Sequence, residues 1–213
     1  MATGRMLKNG NSSTVVQVSL DGRDYVVKRY NIKSFLHGLS RLLRPSRAWR
    51  SWHNAHLLEM LGVGTAAPIA MIERRIGPLR RQAWFLSEAV EGADILQFPG
   101  NTPINSTPWQ LALLRFHALF TTMYEYRIVH GDMKGTNLIW QADRLVVLDL
   151  DGMHQEFSTR RFRQAFQRDL DRFRANWKQW PDAAVAVNAM LDELMKLPEQ
   201  AGADNVRNGG LKN

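Results

Sequence analysis

Two β-rich runs, "TVVQVSL" (residues 14–20) and "RDYVVKRY" (23–30), flank the pair Asp21 and Gly22. Aspartate–glycine suits a two-residue turn in which both positions take positive φ, so the pattern predicts an antiparallel hairpin. A helix is expected over "RPSRAWRSWHNAHLLEMLG" (44–62), with Pro45 near its start and Gly62 just past its end. "PIAMIERR" (68–75) and "RQAWFLSEAV" (81–90) read as two more strands joined around "IGP". The stretch 91–103 reads as a linker, after which the period changes. Thr107 and Pro108 read as an N-cap and a first helical residue, and Leu113, Phe116, Phe120, Met123 and Tyr124 then share one face. Two short strands, "NLIW" and "RLVVLDL", turn at "QAD". From Ser158 a further helix carries Phe162, Phe166, Leu170, Phe173 and Trp177 on one side and many arginines on the others. A last helix is expected over 182–196. The division that results is a sheet-rich part over 1–92, a helical part over 93–197 and a polar, flexible tail over 198–213.

Composition narrows the setting. The chain has 213 residues, 45% of them hydrophobic, which suffices for a sizeable core and argues against wholesale disorder. No apolar run approaches the roughly 20 residues of a membrane-spanning helix. The first ten residues, "MATGRMLKNG", lack the apolar centre of a signal peptide, so a cytoplasmic location is expected. The absence of cysteine excludes disulfides and thiolate metal sites.

The net charge of +8 is unevenly distributed. Residues 25–58 contain no Asp or Glu, yet include Lys28, Arg29, Lys33, Arg41, Arg44, Arg47 and Arg50, interleaved with Phe35, Leu36, Leu39, Leu42 and Leu43. This predicts a basic amphipathic segment, suited to an anionic membrane surface or a phosphorylated glycolipid, or simply a solvated helix face. No nucleic-acid-binding module accompanies the charge, and no nucleic-acid partner is expected.

The chemistry concentrates in "IVHGDMKGTNLIW" (128–140) and "LVVLDLDGM" (145–153). Phosphoryl transfer asks a protein to position groups and neutralise charge. Asp132 can orient an attacking hydroxyl, and Lys134 can offset developing charge. Asn137 and Asp149, returned to each other by a hairpin, offer oxygen ligands for Mg²⁺. His130 reads as a brace for the loop. Asp151 is a further acid beside the metal site, and Asp169 and Asp171 read as partners for the arginines around them.

These offsets resemble the catalytic loop and metal-binding aspartate of the protein-kinase-like fold, H-x-D-x-K-x-x-N followed by a strand ending in Asp. Gly131 stands where many protein kinases carry Arg, as in the small-molecule and sugar kinase branches. The resemblance implies an α+β, two-lobed fold with a small sheet-rich N-lobe and a helical C-lobe. It also implies roles in the first lobe. Lys28, ending "YVVK", would pair with nucleotide phosphates, and the segment from Glu88 to Val90 in "WFLSEAVEG" would receive adenine. Gly10 and Ser12 in "LKNGNSSTV" would stand in for a glycine-rich loop, and Glu59, the only acid on the predicted helix, would be the partner of Lys28 or a surface residue.

More closely, "VVKRYN", the basic insert, "FLSEAVEG", "HGDMKGTNLIW", "LDLDGM" and "RDLDRFRANW" resemble the bacterial lipopolysaccharide core kinases, over residues 7 to about 180. These Kdo and heptose kinases phosphorylate inner-core sugars of a lipid A–linked oligosaccharide at the cytoplasmic face of the inner membrane. The resemblance implies ATP and Mg²⁺ as requirements, a lipid-linked core oligosaccharide as acceptor, and peripheral contact with the anionic inner-membrane surface. The rivals are a kinase of protein or other small-molecule hydroxyls and a pseudokinase serving as a binding module at the membrane.

Overall fold

The structure is a computed structural model that describes residues 4–31, 45–77 and 79–208. Strands β1 (Gly4–Asn9), β2 (Ser13–Leu20) and β3 (Arg23–Tyr30) join β5 (Pro68–Ile76) and β6 (Leu79–Glu88) in an antiparallel sheet of order β1-β2-β3-β6-β5. The expected hairpin closes as the sequence dictates: Leu20 pairs with Arg23, and Asp21 and Gly22 take φ of 50° and 75°. Strand β1 is an addition to the expected strands, and its last three residues, 7–9, open the stretch expected to stand in for a glycine-rich loop.

Helix α1 (Arg47–Met60) starts after Ser46, whose hydroxyl accepts the N–H of Trp49 at 2.9 Å. Pro45 precedes that cap, and Gly62 follows the helix with φ of 70°. Ala48, Ser51, Asn54, Ala55 and Leu58 form its buried stripe. Residues 32–44, which hold Lys33, Arg41, Arg44 and all five apolar residues named for the predicted basic amphipathic segment, lie outside the described residues. Of the remaining bases, Lys28 and Arg47 form ion pairs with acids of the second half of the chain and so do not extend a solvated basic face.

A second sheet of order β4-β10-β9-β7 combines β4 (Gly64–Thr65), β7 (Ala93–Asp94), β9 (Leu138–Gln141) and β10 (Arg144–Val147). β4 runs parallel to β10 so closely that a Cβ at Gly64 would lie 2.5 Å from the Leu145 carbonyl oxygen. A third pair, β8 (Ile128–Val129) with β11 (His154–Gln155), brackets the segment between them. After the short α2 (Phe98–Asn101), the remaining helices are α3 (Thr107–Glu125), α4 (Thr159–Ala175) and α5 (Pro181–Asn208). The cap of α3 is Ser106, one residue earlier than expected, with Pro108 in the first turn, where its missing N–H costs nothing. Helix α5 extends to Asn208, into the stretch read as a flexible tail.

The core lies among α3, α4 and α5. The predicted aromatic stripes meet there: Phe116 and Phe120 lie 5.1 and 4.9 Å from Phe173, and Trp109 sits 5.5 Å from Trp177, all six-membered or indole rings in edge-on or tilted contact. The fold is α+β and two-lobed, an N-terminal antiparallel sheet over a helical C-terminal part, as in protein-kinase-like proteins.

Candidate active site

The segment after β8 is held by its backbone. The Asp169 carboxylate, fully buried on α4, accepts the N–H of His130 at 2.7 Å and that of Gly131 at 3.0 Å. Gly131 has φ of 82°, which turns the chain sharply into Asp132. The His130 ring contacts the Leu148 carbonyl through Nε2 at 3.0 Å and the Asp132 N–H through Nδ1 at 3.3 Å. A carbonyl only accepts and an amide N–H only donates, so these contacts fit the tautomer with its proton on Nε2. His130 is thus a brace and has no free nitrogen for base chemistry.

Asp132 leaves about half of its side chain open to solvent, at 47% exposure. Lys134 Nζ approaches its Oδ2 at 2.7 Å, and Asn137 Nδ2 donates to its carbonyl at 2.9 Å. Because the Asn137 amide nitrogen is used in this way, its Oδ1 remains as an acceptor. The Leu148 N–H donates to the Asn137 carbonyl at 2.8 Å, joining the loop to the end of β10. Immediately after Leu148, Asp149 takes φ of 60°, a left-handed conformation that a short polar side chain tolerates better than a branched one.

Asp149 pairs with Lys28 of β3, across the cleft between the two sheets. Lys28 Nζ is also 3.4 Å from Asp151 Oδ2, which lies 2.6 Å from Arg47 of α1; both contacts are ionic and are not aligned as hydrogen bonds. Both cations sit over the Tyr30 ring, at 5.2 and 5.0 Å, and the Tyr30 hydroxyl meets Ser51 at 2.7 Å. Burial alone would lower the Lys28 pKa, but Tyr30, Asp151 and Asp149 outweigh it and hold the ammonium above its ordinary 10.5. Burial alone would raise Asp149. The charge and hydrogen bond of Lys28, with His130 and Lys134 nearby, outweigh it and hold the carboxyl below its ordinary 3.8.

Around these groups lies a cleft of about 400 Å³. Val15, Val26, Phe85 and Val147 make an apolar wall, while Lys28, Asn137 and Asp149 make the polar end. Glu88 and Val90 line it as expected. The Glu88 N–H donates to the Ala67 carbonyl and that of Ala89 to Asp24, both at 2.9 Å, so Val90 is left as the backbone donor of this stretch.

Three expectations need correction. Glu59 does not reach Lys28; it meets His56 at 3.2 Å near the exposed end of α1. Asp151, expected as a further acid beside the metal site, is instead the second partner of Lys28 and is 8% exposed. Gly10 and Ser12 do not line the cleft: the Gly10 carbonyl accepts from Asn31 Nδ2 at 3.1 Å, and that of Ser12 from Asn31 N at 3.1 Å and Arg47 at 3.3 Å. Leu7, Lys8 and Ser13 form that wall instead.

Asp169 and Asp171 do lie against arginines of their own helix, Arg172 at 3.6 Å and Arg174 at 3.7 Å; the bracing of the loop by Asp169 was not anticipated, although a signal existed. It falls between Phe166 and Phe173 at helical spacing, a polar residue on an apolar stripe. Asn54 carries the same signal on α1, donating to the carbonyls of Leu150 and Met153 at 2.8 and 2.7 Å. His53 stacks on Trp49 at 4.8 Å.

The donor set fits a hard divalent cation. An amide oxygen from Asn137 and a carboxylate from Asp149 are the ligands Mg²⁺ takes, with the rest of its shell supplied by phosphates and water. Among the described residues no group of three or more His, Cys, Asp or Glu could hold a metal independently of a bound phosphate.

No curated protein matches the chain. Among solved structures, one described as WaaP in complex with acyl carrier protein is similar with a TM-score of 0.57 at 19% identity, over 92% of this chain and 89% of that one. At that identity the likeness is one of fold. The sequence profile of the lipopolysaccharide kinase (Kdo/WaaP) family matches residues 4–189, and the chain belongs to that family.

Proposed function

We propose that the protein transfers the γ-phosphate of ATP to a sugar hydroxyl of the lipopolysaccharide inner core, with Mg²⁺. The observation that carries this reading is the convergence, in one cleft, of Lys28 from β3, Asp149 from the end of β10 and Asn137 from the loop, with Asp132 hydrogen-bonded to Asn137 beside them. The apolar wall accepts a planar base, and Val90 supplies a backbone donor at its edge. Lys28 leaves Asp149 to grip the phosphates, with Asp151 and Arg47 keeping it oriented. Asn137 and Asp149 would hold Mg²⁺, which would neutralise phosphate charge. Asp132 aligns the acceptor hydroxyl and takes its proton as the oxygen bonds to the γ-phosphorus and the bond to the ADP oxygen breaks, releasing ADP, while Lys134 offsets the charge that develops.

No helix among the described residues is long and apolar enough to cross a membrane. Access to a lipid-linked acceptor then calls for peripheral contact, and the net charge of +8 favours an anionic surface.

The test incubates the protein with ATP, Mg²⁺ and dephosphorylated core lipopolysaccharide and weighs the product by mass spectrometry. One added phosphate on the oligosaccharide, absent with Asp132→Ala, is expected. No gain on core acceptors, together with efficient phosphorylation of a protein or a free small alcohol, would reject the acceptor.

A further inference from the structure

A second hollow, of about 390 Å³, meets the catalytic loop at Gly131, one residue before Asp132. It shares no lining residue with the nucleotide cleft. Arg161, Arg168 and Arg172 line it from a single face of α4, since steps of seven and four residues return to the same side of a helix. His154 and Glu156, in and beside β11, form the opposite wall.

The charge in this hollow is not balanced. Glu156 is the only carboxylate in the lining, and its Oε1 accepts the Ser158 N–H at 2.9 Å. Arg172 donates to the Gly131 carbonyl and lies 3.6 Å from the buried Asp169. Arg161 and Arg168 are exposed and pair with no carboxylate among the described residues, although α4 also carries Asp171, which is engaged by Arg174 and Gln167. Guanidinium groups gathered on one face repel one another unless an anion lies between them. Their planar forks match the two oxygens of a carboxylate or phosphate.

We propose that this hollow is the acceptor's anion subsite: it binds a carboxylate or phosphate group on the sugar chain and so sets the receiving hydroxyl at Asp132. The proposal rests on the kinase reading of the cleft. It makes the acceptor an anionic saccharide and assigns Arg161 and Arg168 to acceptor recognition. Arg172 relays the bound anion to the loop through the Gly131 carbonyl. An anion held there costs the nucleotide nothing, because the two cavities have separate walls.

The test is equilibrium binding, which does not depend on transfer. Calorimetry would measure the affinity of the full-length protein for deacylated core oligosaccharide and compare it with Arg161→Gln/Arg168→Gln. Glutamine preserves helix propensity at these exposed positions, so folding should be retained and is checked by thermal melting. The double variant should bind the oligosaccharide at least about tenfold more weakly, from the loss of charge-assisted hydrogen bonds, with ATP affinity unchanged. Two further acceptors identify the source, one with esterified carboxylates and one stripped of phosphate. The modification that weakens wild-type binding to the level of the double variant, and leaves the double variant unaffected, marks the group recognised. Equal binding by wild type and double variant, or no binding by either, would overturn the subsite. Arginine-dependent binding without any phosphate transfer would uphold the subsite and reject the kinase reading.

Discussion

Replacing Asp169 by alanine should damage both the stability and the chemistry of the protein. The carboxylate is fully buried and accepts two backbone N–H groups, from His130 and Gly131, at 2.7 and 3.0 Å. Removing it leaves both donors without a partner. A buried group stranded in this way costs about 1–3 kcal/mol. His130 is 1% exposed and should incur the full cost, whereas Gly131 is exposed and can recover part of its hydration. The sum is about 2–4 kcal/mol, which in a chain of this length lowers the melting temperature by about 5–15 °C. Asp169→Asn should fall in between, because one oxygen can still serve both donors while the amide nitrogen opposes the Gly131 N–H. The assay pairs thermal melting with phosphate transfer measured well below the melting point of each variant. Transfer should fall at least about tenfold in the folded alanine variant, since a small displacement of a reacting group is enough. If Asp169→Ala melts within about 1 °C of wild type, or transfers at the wild-type rate, the bracing role is refuted.

Three further outcomes follow from the geometry. Asp149→Ala should abolish the Mg²⁺-dependent thermal shift given by ATP, whereas Asp132→Ala should keep that shift and lose transfer; an unchanged shift in the first variant sinks the metal assignment. Gly92 has φ of 140°, and a Cβ there would lie 2.4 Å from the Trp140 carbonyl oxygen, so Gly92→Ala should cost about 2–4 kcal/mol by denaturant melting; a neutral result would show that β7 can shift freely. The pair formed by Lys28 and Asp149 sets a pH window. The depressed Asp149 carboxyl contributes stability that is present above pH 3.8 and lost as pH falls through its lower folded value. The raised Lys28 ammonium contributes stability that is present below pH 10.5 and lost as pH rises through its higher folded value. Lys28→Met should therefore be less stable than wild type between those limits, with the difference shrinking below about pH 3.8; a difference that persists into acid would count against the pair.

Local rules carried much of the fold. Aspartate–glycine turned the first hairpin, Gly62 stopped α1, and the spacing of Phe116, Phe120, Phe166 and Phe173 placed the helical core. The candidate catalytic-loop residues could be read as a set because their offsets lie within one loop and one hairpin. What escaped depends on partners distant in the chain. Strands β4, β7, β8 and β11 are two residues long, too short for any period, and exist only because another strand lies beside them. Asp151 replaced Glu59 as a partner of Lys28 because the cleft brings the end of β10 to β3. The resemblance placed Gly10 and Ser12 at the phosphates by analogy of position, but the Gly10 N–H is spent on the Ser13 carbonyl and neither residue lines the cleft.

The attachment of α1 bears on how such an enzyme could be governed. Asn54 of this helix donates to the carbonyls of Leu150 and Met153, and the Thr65 hydroxyl, just beyond the helix, donates to that of Val147 at 2.9 Å. Swinging the helix outward would strip the two carbonyls that Asn54 serves, at about 1–3 kcal/mol each, while Thr65 stays with β4 beside β10. Every 1.4 kcal/mol is a factor of ten, so the docked arrangement is favoured by a factor of about thirty or more. A partner that silenced the protein by displacing this helix would have to repay that bias from its own binding energy. Output should accordingly follow the supply of nucleotide and acceptor, with the protein working as a constitutive step and not as a relay awaiting a signal.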